Sequence, residues 1–375
     1  MFKRLFILTR GYDWYLIINV ILLMIFGLAA LYSLQINVAE PNFVFLNRQL
    51  IFVGLGLVLF FLMSQISFRV WGDYYKVILG TVAFMLIVVL IVGISIRGTT
   101  GWLEFFGQTF QPVELAKIAL IIFLAKFFTS RGKQPKLLTD IFISGLITGA
   151  LIVLVMLQPD LGSAMILFFI WLVMVLLLPI RKKTVFIIFL IIVVLAAGAW
   201  FFLFKDYQKD RLLTFIQPQL DPLGAGYNVR QSVVAVGSGQ LVGRGLALGS
   251  QSQLNFLPEQ ETDFIFAVIA EELGFVGASL LLILFFSLLV RLYRIAQQTR
   301  DDFGNMLALG VITYLTVQTF INMGMNMGIA PVTGVPLPLV SYGGSSLLSV
   351  LIALGIVLNI HLKNRSTMFS YEKEG

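Results

Sequence analysis

Cysteine is absent from this 375-residue chain, and histidine occurs once, as His361. Without thiols there are no disulfides, no thiolate nucleophile and no Cys-ligated metal. Charge is scarce too: 12% of residues are charged, where a soluble globular chain carries roughly 25%. There is no P-loop and no G-x-G-x-x-G between strand and helix, so ATP-driven transport lacks its machinery. An outward-facing Ser-x-x-Lys and an H-E-x-x-H are also missing, which removes the parts for acyl transfer and zinc hydrolysis. The opening Met1–Arg10 has no small-residue cleavage site and is not read as a cleaved signal peptide.

What fills the chain is apolar: 59% hydrophobic residues and a mean hydropathy of +0.95. Ten apolar segments can be drawn, at 15–34, 46–64, 75–96, 112–129, 139–157, 162–179, 184–204, 264–290, 305–328 and 342–362. Each is close to the ~20 residues a helix needs to cross the hydrocarbon core. Helices are expected rather than strands, because the runs lack period-2 alternation and must satisfy their own backbone in lipid. The fifth and sixth are separated only by Gln158-Pro-Asp-Leu161, a tight hairpin. The expected fold is all-α and polytopic, with ten transmembrane helices in a single domain over residues 1–375.

With the N-terminus inside, 18 of the 26 basic residues fall on the inner side. The positive-inside rule therefore puts both termini in the cytoplasm and the long loop 205–263 outside. It also accounts for the net charge of +7, so no nucleic-acid partner is implied. His361 lies at the inner end of the last span, which leaves acid–base work on the outer face to carboxylates, lysine or tyrosine. The loop carries seven glycines between Gly224 and Gly249, and Tyr227–Val236 reads as a short half-buried helix ended by Gly237. Its apolar residues, Val233, Val234, Phe256 and Leu257 among them, predict a structured lid rather than a disordered linker.

Four stretches carry chemistry. Asp263, near Glu259 and Glu261, closes the outer loop; it is either the cap of the eighth span or a reactive carboxylate at the membrane surface. In Gln111-Pro-Val-Glu-Leu-Ala-Lys117 the proline suits a first helical turn, and Glu114 and Lys117 share a face inside the span. Ionisable groups at that depth either pair with each other or face a polar cavity. Asp160 occupies the outer hairpin, where Pro-Asp is also ordinary turn chemistry. Pro331–Ser346 is too apolar for a solvated loop and too rich in proline and glycine for a straight helix. Such backbone survives at membrane depth only when buried in protein or lining a cavity, where Ser341, Ser345 and Ser346 could hold a polar ligand. Glu271 and Glu272 either face the same cavity or pair with basic residues.

Carboxylates and cations under an outer lid, beside wide apolar spans, fit an amphipathic ligand with an anionic head. If a sugar leaves a lipid pyrophosphate, one carboxylate must take the proton of the attacking hydroxyl. The pyrophosphate needs charge neutralisation rather than protonation. Asp263 suits the base, and Lys117, Arg48, Arg211 and Arg244 suit the charge. A divalent cation, magnesium or manganese, with Asp263 as ligand is the alternative use of that carboxylate; no other cofactor is expected.

The motifs, taken in order, are Gln111-Pro-x-Glu-x-Ala-Lys117, Gln158-Pro-Asp-Leu-Gly162, Phe256-Leu-Pro-Glu259, Thr262-Asp-Phe-Ile-Phe266, Glu271-Glu-Leu-Gly274 and Gly334-x-Pro-Leu-Pro-Leu-Val-Ser-Tyr-Gly-Gly-Ser-Ser346. Together they resemble the SEDS family (shape, elongation, division and sporulation). The run Ser250-Gln-Ser-Gln-Leu-Asn-Phe-Leu-Pro258 and the short N-terminus look like its elongation members rather than its division members. The resemblance implies a glycosyltransferase of the bacterial cytoplasmic membrane that polymerises lipid II. It implies a catalytic aspartate at Asp263 and a cavity pair at Glu114 and Lys117. As partners it implies a class B penicillin-binding transpeptidase and other proteins of the elongation complex. The chain departs from the family pattern at Gly101 and Val113. Two rival functions are a lipid II flippase, which needs a hydrophilic path opening inward, and a non-catalytic scaffold, whose outer carboxylates would be dispensable.

Overall fold

Apolar runs of membrane length become helices here. The computed structural model describes residues 11–36, 43–96, 98–105, 107–131, 137–202, 209, 213–215, 217, 224–254 and 256–371. In chain order the helices are α1 (Trp14–Ile36), α2 (Val44–Gln65), α3 (Phe68–Asp73), α4 (Tyr75–Val92), α5 (Pro112–Thr129), α6 (Leu137–Leu157), α7 (Leu161–Leu176), α8 (Lys182–Phe202), α9 (Ala225–Ser238), α10 (Ser250–Gln253), α11 (Ile265–Gln298), α12 (Asp302–Asn326) and α13 (Gly344–Tyr371). Among the described residues, ten of these coincide with the ten apolar segments. Seven are long and apolar enough to cross a membrane, and the chain is a multi-pass, essentially α-helical membrane protein. At 16 residues α7 is shorter, and α5 carries three ionisable residues, Glu114, Lys117 and Lys126.

The core is built from α5, α12 and α13. In the apolar windows of α12 and α13, 72% and 78% of residues are buried, whereas α2 and α4 bury only 17%. Nearly every residue of α5 is buried, between α4, α7, α12 and α13. Large apolar side chains on the rim, such as Ile51, Phe84, Phe142 and Phe186, stay exposed, as lipid-facing positions do.

A small antiparallel sheet joins α4 to α5 and was not expected from the hydropathy pattern. Its strands β1 (Ile94–Ile96), β2 (Thr99–Phe105) and β3 (Gln108–Phe110) run in the order β1-β2-β3. The sheet docks on the α6–α7 hairpin, where the Thr100 amide donates to the Gln158 carbonyl at 3.2 Å.

The eighth span is not one straight rod. α11 breaks at Gly274, whose φ of 64° and ψ of −163° are non-helical and open to glycine alone at little cost. The outer loop fills the break. Arg244 and Gly245 amides donate to the carbonyls of Glu271 and Glu272 at 3.0 Å each, while the Phe275 and Val276 amides donate to Gln240 and Leu241. Backbone groups orphaned by the kink are thus paired, as a buried helix break requires. The expected lid is therefore spliced into α11 over its described part. Its helix α9 is longer than expected: it passes through Gly237 to Ser238, with Gly239 as C-cap.

Candidate functional site

Asp263 lies in a run of turns between the outer loop and α11. The Glu259 carbonyl accepts from the amides of Thr262, Asp263 and Phe264 at 3.1–3.3 Å, which winds the backbone tightly. Three successive carbonyls beyond it are each anchored by another element. Glu261 O accepts from the Tyr342 amide at 2.8 Å. Thr262 O accepts from Ser341 Oγ at 2.5 Å. Asp263 O accepts from Asn322 Nδ2 at 3.0 Å and from Asn326 Nδ2 at 2.9 Å.

The capping alternative for Asp263 is not what the structure shows. Phe264 is the N-cap of α11, with no side-chain cap bond. Asn326 caps from across the bundle instead, its Oδ1 accepting the Ala267 amide at 3.0 Å. The Asp263 side chain is left partly exposed against Gly334, where an added Cβ would stand 3.5 Å from Oδ2. Gly334 has a φ of 72°, a conformation that glycine adopts at no steric cost.

Pro331–Gly343 runs without regular helix up to α13, whose first turn holds Ser345 and Ser346, and the stretch is mostly buried, as its composition required. Side-chain amides satisfy its backbone: Gln318 donates to Pro336 O at 2.9 Å, Asn322 to Val335 O at 2.8 Å and Gln49 to Ser341 O at 3.2 Å. The serines expected to hold a ligand are used internally. Ser341 Oγ accepts from the Leu337 amide, Ser345 Oγ accepts from the Gln111 amide at 3.1 Å, and Ser346 Oγ accepts from Gln318 at 3.4 Å.

Glu114 and Lys117 take the paired reading. Their ions meet at 2.7 Å, with side chains 3% and 1% exposed. Tyr314 and Ser349 hydroxyls lie 3.4 and 3.3 Å from Glu114 Oε2, and Lys117 Nζ reaches Gln318 Oε1 at 3.4 Å. Lys117 is thus satisfied inside the core in this conformation rather than presented to an open surface. Asp160 caps α7, accepting the Ser163 amide at 2.9 Å and Gln111 Nε2 at 3.0 Å. Burial raises its carboxyl above the usual 3.8, opposed by the bonds from Ser163 and the charge of Lys117.

Two ideas about charged residues change. Among the described residues Glu271 and Glu272 neither pair with basic residues nor line the Asp263 turn; they hold the outer loop. Glu271 accepts the Gln251 and Ser252 amides at 2.8 and 3.0 Å, at the start of α10. Glu272 accepts from Ser33 Oγ at 2.5 Å and from the Ala247 amide at 3.3 Å. Among the cations, Arg48 and Arg244 are exposed, and Arg244 donates to Ser250 Oγ at 2.7 Å. Arg211 lies outside the described residues.

Sequence reasoning missed the residues that hold the site together. Tyr314, Gln318, Asn322 and Asn326 recur every fourth residue along α12, and so share one face. Polar side chains repeating at that spacing in an apolar span were the available signal. The stripe runs from the Glu114–Lys117 pair to the Asp263 backbone.

Residues 13–366 match the cell cycle protein family of FtsW, RodA and SpoVE. The chain belongs to this family, SEDS. Two SEDS relatives span nearly the same length. Stage V sporulation protein E of Bacillus subtilis is 36% identical over 360 residues, 94% of this chain and 98% of the relative. Peptidoglycan glycosyltransferase MrdB of Escherichia coli is 40% identical over 319 residues, 84% of this chain and 85% of the relative. In three dimensions the SEDS chain resembles a subunit of a peptidoglycan synthase complex that coordinates polymerization and crosslinking. That match has a TM-score of 0.81 and 34% identity, covering 94% of this chain and 98% of the other.

Proposed function

We propose that this SEDS chain is a peptidoglycan glycosyltransferase that polymerises lipid II on the outer face of the bacterial cytoplasmic membrane, with Asp263 as general base. The observation that carries the reading is the Asp263 turn: a partly exposed carboxylate whose backbone is pinned through three successive carbonyls. A reacting group held on a fixed backbone has the pre-organisation that general-base catalysis needs.

The surrounding frame is a single SEDS domain of ten spans with both termini cytoplasmic. Its support is the coincidence of ten helices with ten apolar segments, together with the inner bias of the basic residues. On this topology the loop 205–263 and Asp263 are external.

In the reaction, the acceptor hydroxyl loses its proton to Asp263 as its oxygen attacks the anomeric carbon of the donor. A new glycosidic C–O bond forms while the bond to phosphate breaks, and pyrophosphate leaves on the lipid with the electron pair. Arg48 and Arg244, both exposed, and Arg211 are the cations that neutralise it. The Glu114–Lys117 pair supports the site through the α12 stripe rather than by touching substrate.

A divalent ion, when bound, supplies further neutralisation of the phosphates. Among the described residues no three Asp, Glu or His side chains gather. In that alternative Asp263 would serve as one ligand instead of as the base, with pyrophosphate and water as the others, the way magnesium is commonly held.

Elongation is the proposed setting, supported by the likeness of Ser250–Pro258 to the elongation members. A class B penicillin-binding transpeptidase is the proposed partner, supported by the likeness to a subunit of a complex that polymerises and crosslinks.

The test is synthesis from labelled lipid II by the purified protein with its partner. A single displacement yields glycan strands with inverted anomeric configuration. Failure to make strands, or a retained configuration, contradicts the mechanism.

A further inference from the structure

A cavity of about 550 Å³ opens at the end of the bundle where α1 begins and where α11 and α13 run toward their C-termini. The topology proposed above makes this the inner membrane surface. Nothing in the cavity belongs to the Asp263 site, so its role stands or falls independently of the glycosyltransferase reading.

The lining is built around Asp13. One carboxylate oxygen caps α1 by accepting the Leu16 amide at 3.1 Å. The other accepts from Arg291 Nε at 2.6 Å and lies 4.0 Å from His361 Nδ1. Asp13 is therefore fully engaged and fixes the guanidinium of Arg291 in place. With only Nε in use, the remaining N–H groups of Arg291 have no partner among the described residues. Arg294, one turn on, is exposed and unpaired among the described residues. Two arginines against one aspartate leave the described lining net positive.

Apolar surface leads directly out of it. Trp14 and Tyr15 line the cavity and are each 53% exposed. Above them Ile18, Leu22 and Ile25 continue an exposed stripe along α1 at helical spacing. Cationic donors at one end, interfacial aromatics next, and an apolar track beyond describe the shape of a lipid. A free anion would use only the first part.

We infer that this cavity binds the phosphodiester headgroup of an anionic phospholipid of the inner leaflet, with its acyl chains along the exposed stripe of α1. Guanidinium N–H groups in a fixed fork recognise phosphate oxygens geometrically. Basic pockets between helices on the cytoplasmic side suit anionic headgroups, and tryptophan and tyrosine favour the headgroup level.

The test is quenching of Trp14 in the full-length protein in nanodiscs. Bromine-labelled phosphatidylglycerol is compared with bromine-labelled phosphatidylcholine at equal mole fraction, and the Trp14→Phe protein supplies the background of the other tryptophans. The expected result is stronger quenching by phosphatidylglycerol, with the preference falling roughly fivefold in Arg294→Gln, the effect of one charge near an anionic leaflet. Arg294 is exposed and unpaired, so this variant should fold; unchanged circular dichroism checks that it does. Equal quenching by the two lipids, or an undiminished preference in Arg294→Gln, overturns the proposal. So does relief of the phosphatidylglycerol signal by excess inorganic phosphate, which would mark a free-phosphate site instead.

Discussion

Asn322 Nδ2 donates to the carbonyl oxygen of Asp263 at 3.0 Å, and Asn326, one turn further along α12, donates to the same oxygen at 2.9 Å. Asn326 also caps α11 through the Ala267 amide, so one side chain fixes both the carboxylate's backbone and the helix that follows it. Replacing Asn326 by Ala should cost about 1–3 kcal/mol, the penalty for buried groups left unpaired. Displacement of Asp263 should also lower kcat by up to roughly a hundredfold. Thermal unfolding in detergent and lipid II turnover measure the two effects. Wild-type turnover in Asn326→Ala would show that the asparagine does not position the site.

The Glu114–Lys117 pair should respond asymmetrically to mutation. Lys117→Met strands a buried carboxylate, and breaking such a pair costs about 3–5 kcal/mol. Joining it with Glu114→Gln should restore much of the loss, because no uncompensated charge remains. Denaturation of the two variants in detergent decides this. A double variant no more stable than Lys117→Met alone would contradict the pairing.

Gly274 should tolerate no side chain. Its φ is 64°, and a Cβ would collide with the backbone of Gly243 and Leu241 in the spliced loop. In Gly274→Ala the loop should lift from α11, and amides of Arg244 and Gly245 should exchange with deuterium faster. Glu271→Ala should do the same for the amides of Gln251 and Ser252, since among backbone amides the carboxylate accepts from these two. Exchange rates unchanged in Gly274→Ala would mean that the break does not depend on glycine.

Asp160 gives a pH dependence with a definite sign. Burial raises its folded-state pKa above 3.8, more than the Ser163 bonds and Lys117 lower it. The folded protein then holds this proton more tightly than the unfolded chain does. The associated stability is fully present below 3.8 and is lost as pH rises through the folded value. Relative to the non-titrating Asp160→Asn variant, wild-type stability should fall as pH increases over that window. A rising or flat difference would contradict the burial effect.

The membrane helices were legible because hydropathy is a property of each segment by itself, and α5 starts at Pro112 as the proline indicated. What escaped depends on partners far away in sequence. At Asp263 the residues alone left two uses open, helix cap or reactive carboxylate, because the cap comes from Asn326, 59 residues from the Ala267 amide that it accepts. Glu271 and Glu272 looked like cavity or ion-pair residues because their real partners, loop amides around residues 247–252, have no sequence signature. Gly237 was taken as a stop, but it stays helical and the chain ends α9 at Ser238. The Gly274 break was invisible for the complementary reason: a glycine inside an apolar run reads as a mild defect, and only the spliced loop makes it a kink. The three-stranded sheet escaped because its strands are short and sit between two strong helical signals.

The most direct test of the central claim is polymerisation of labelled lipid II by the purified protein in complex with its transpeptidase partner, wild type against Asp263→Asn. Asparagine keeps the shape and every backbone bond of the turn but cannot take a proton. Glycan strands should disappear, a loss of at least about a hundredfold, while folding and complex formation persist. Polymerisation by Asp263→Asn at the wild-type rate would contradict the assignment of Asp263 as base.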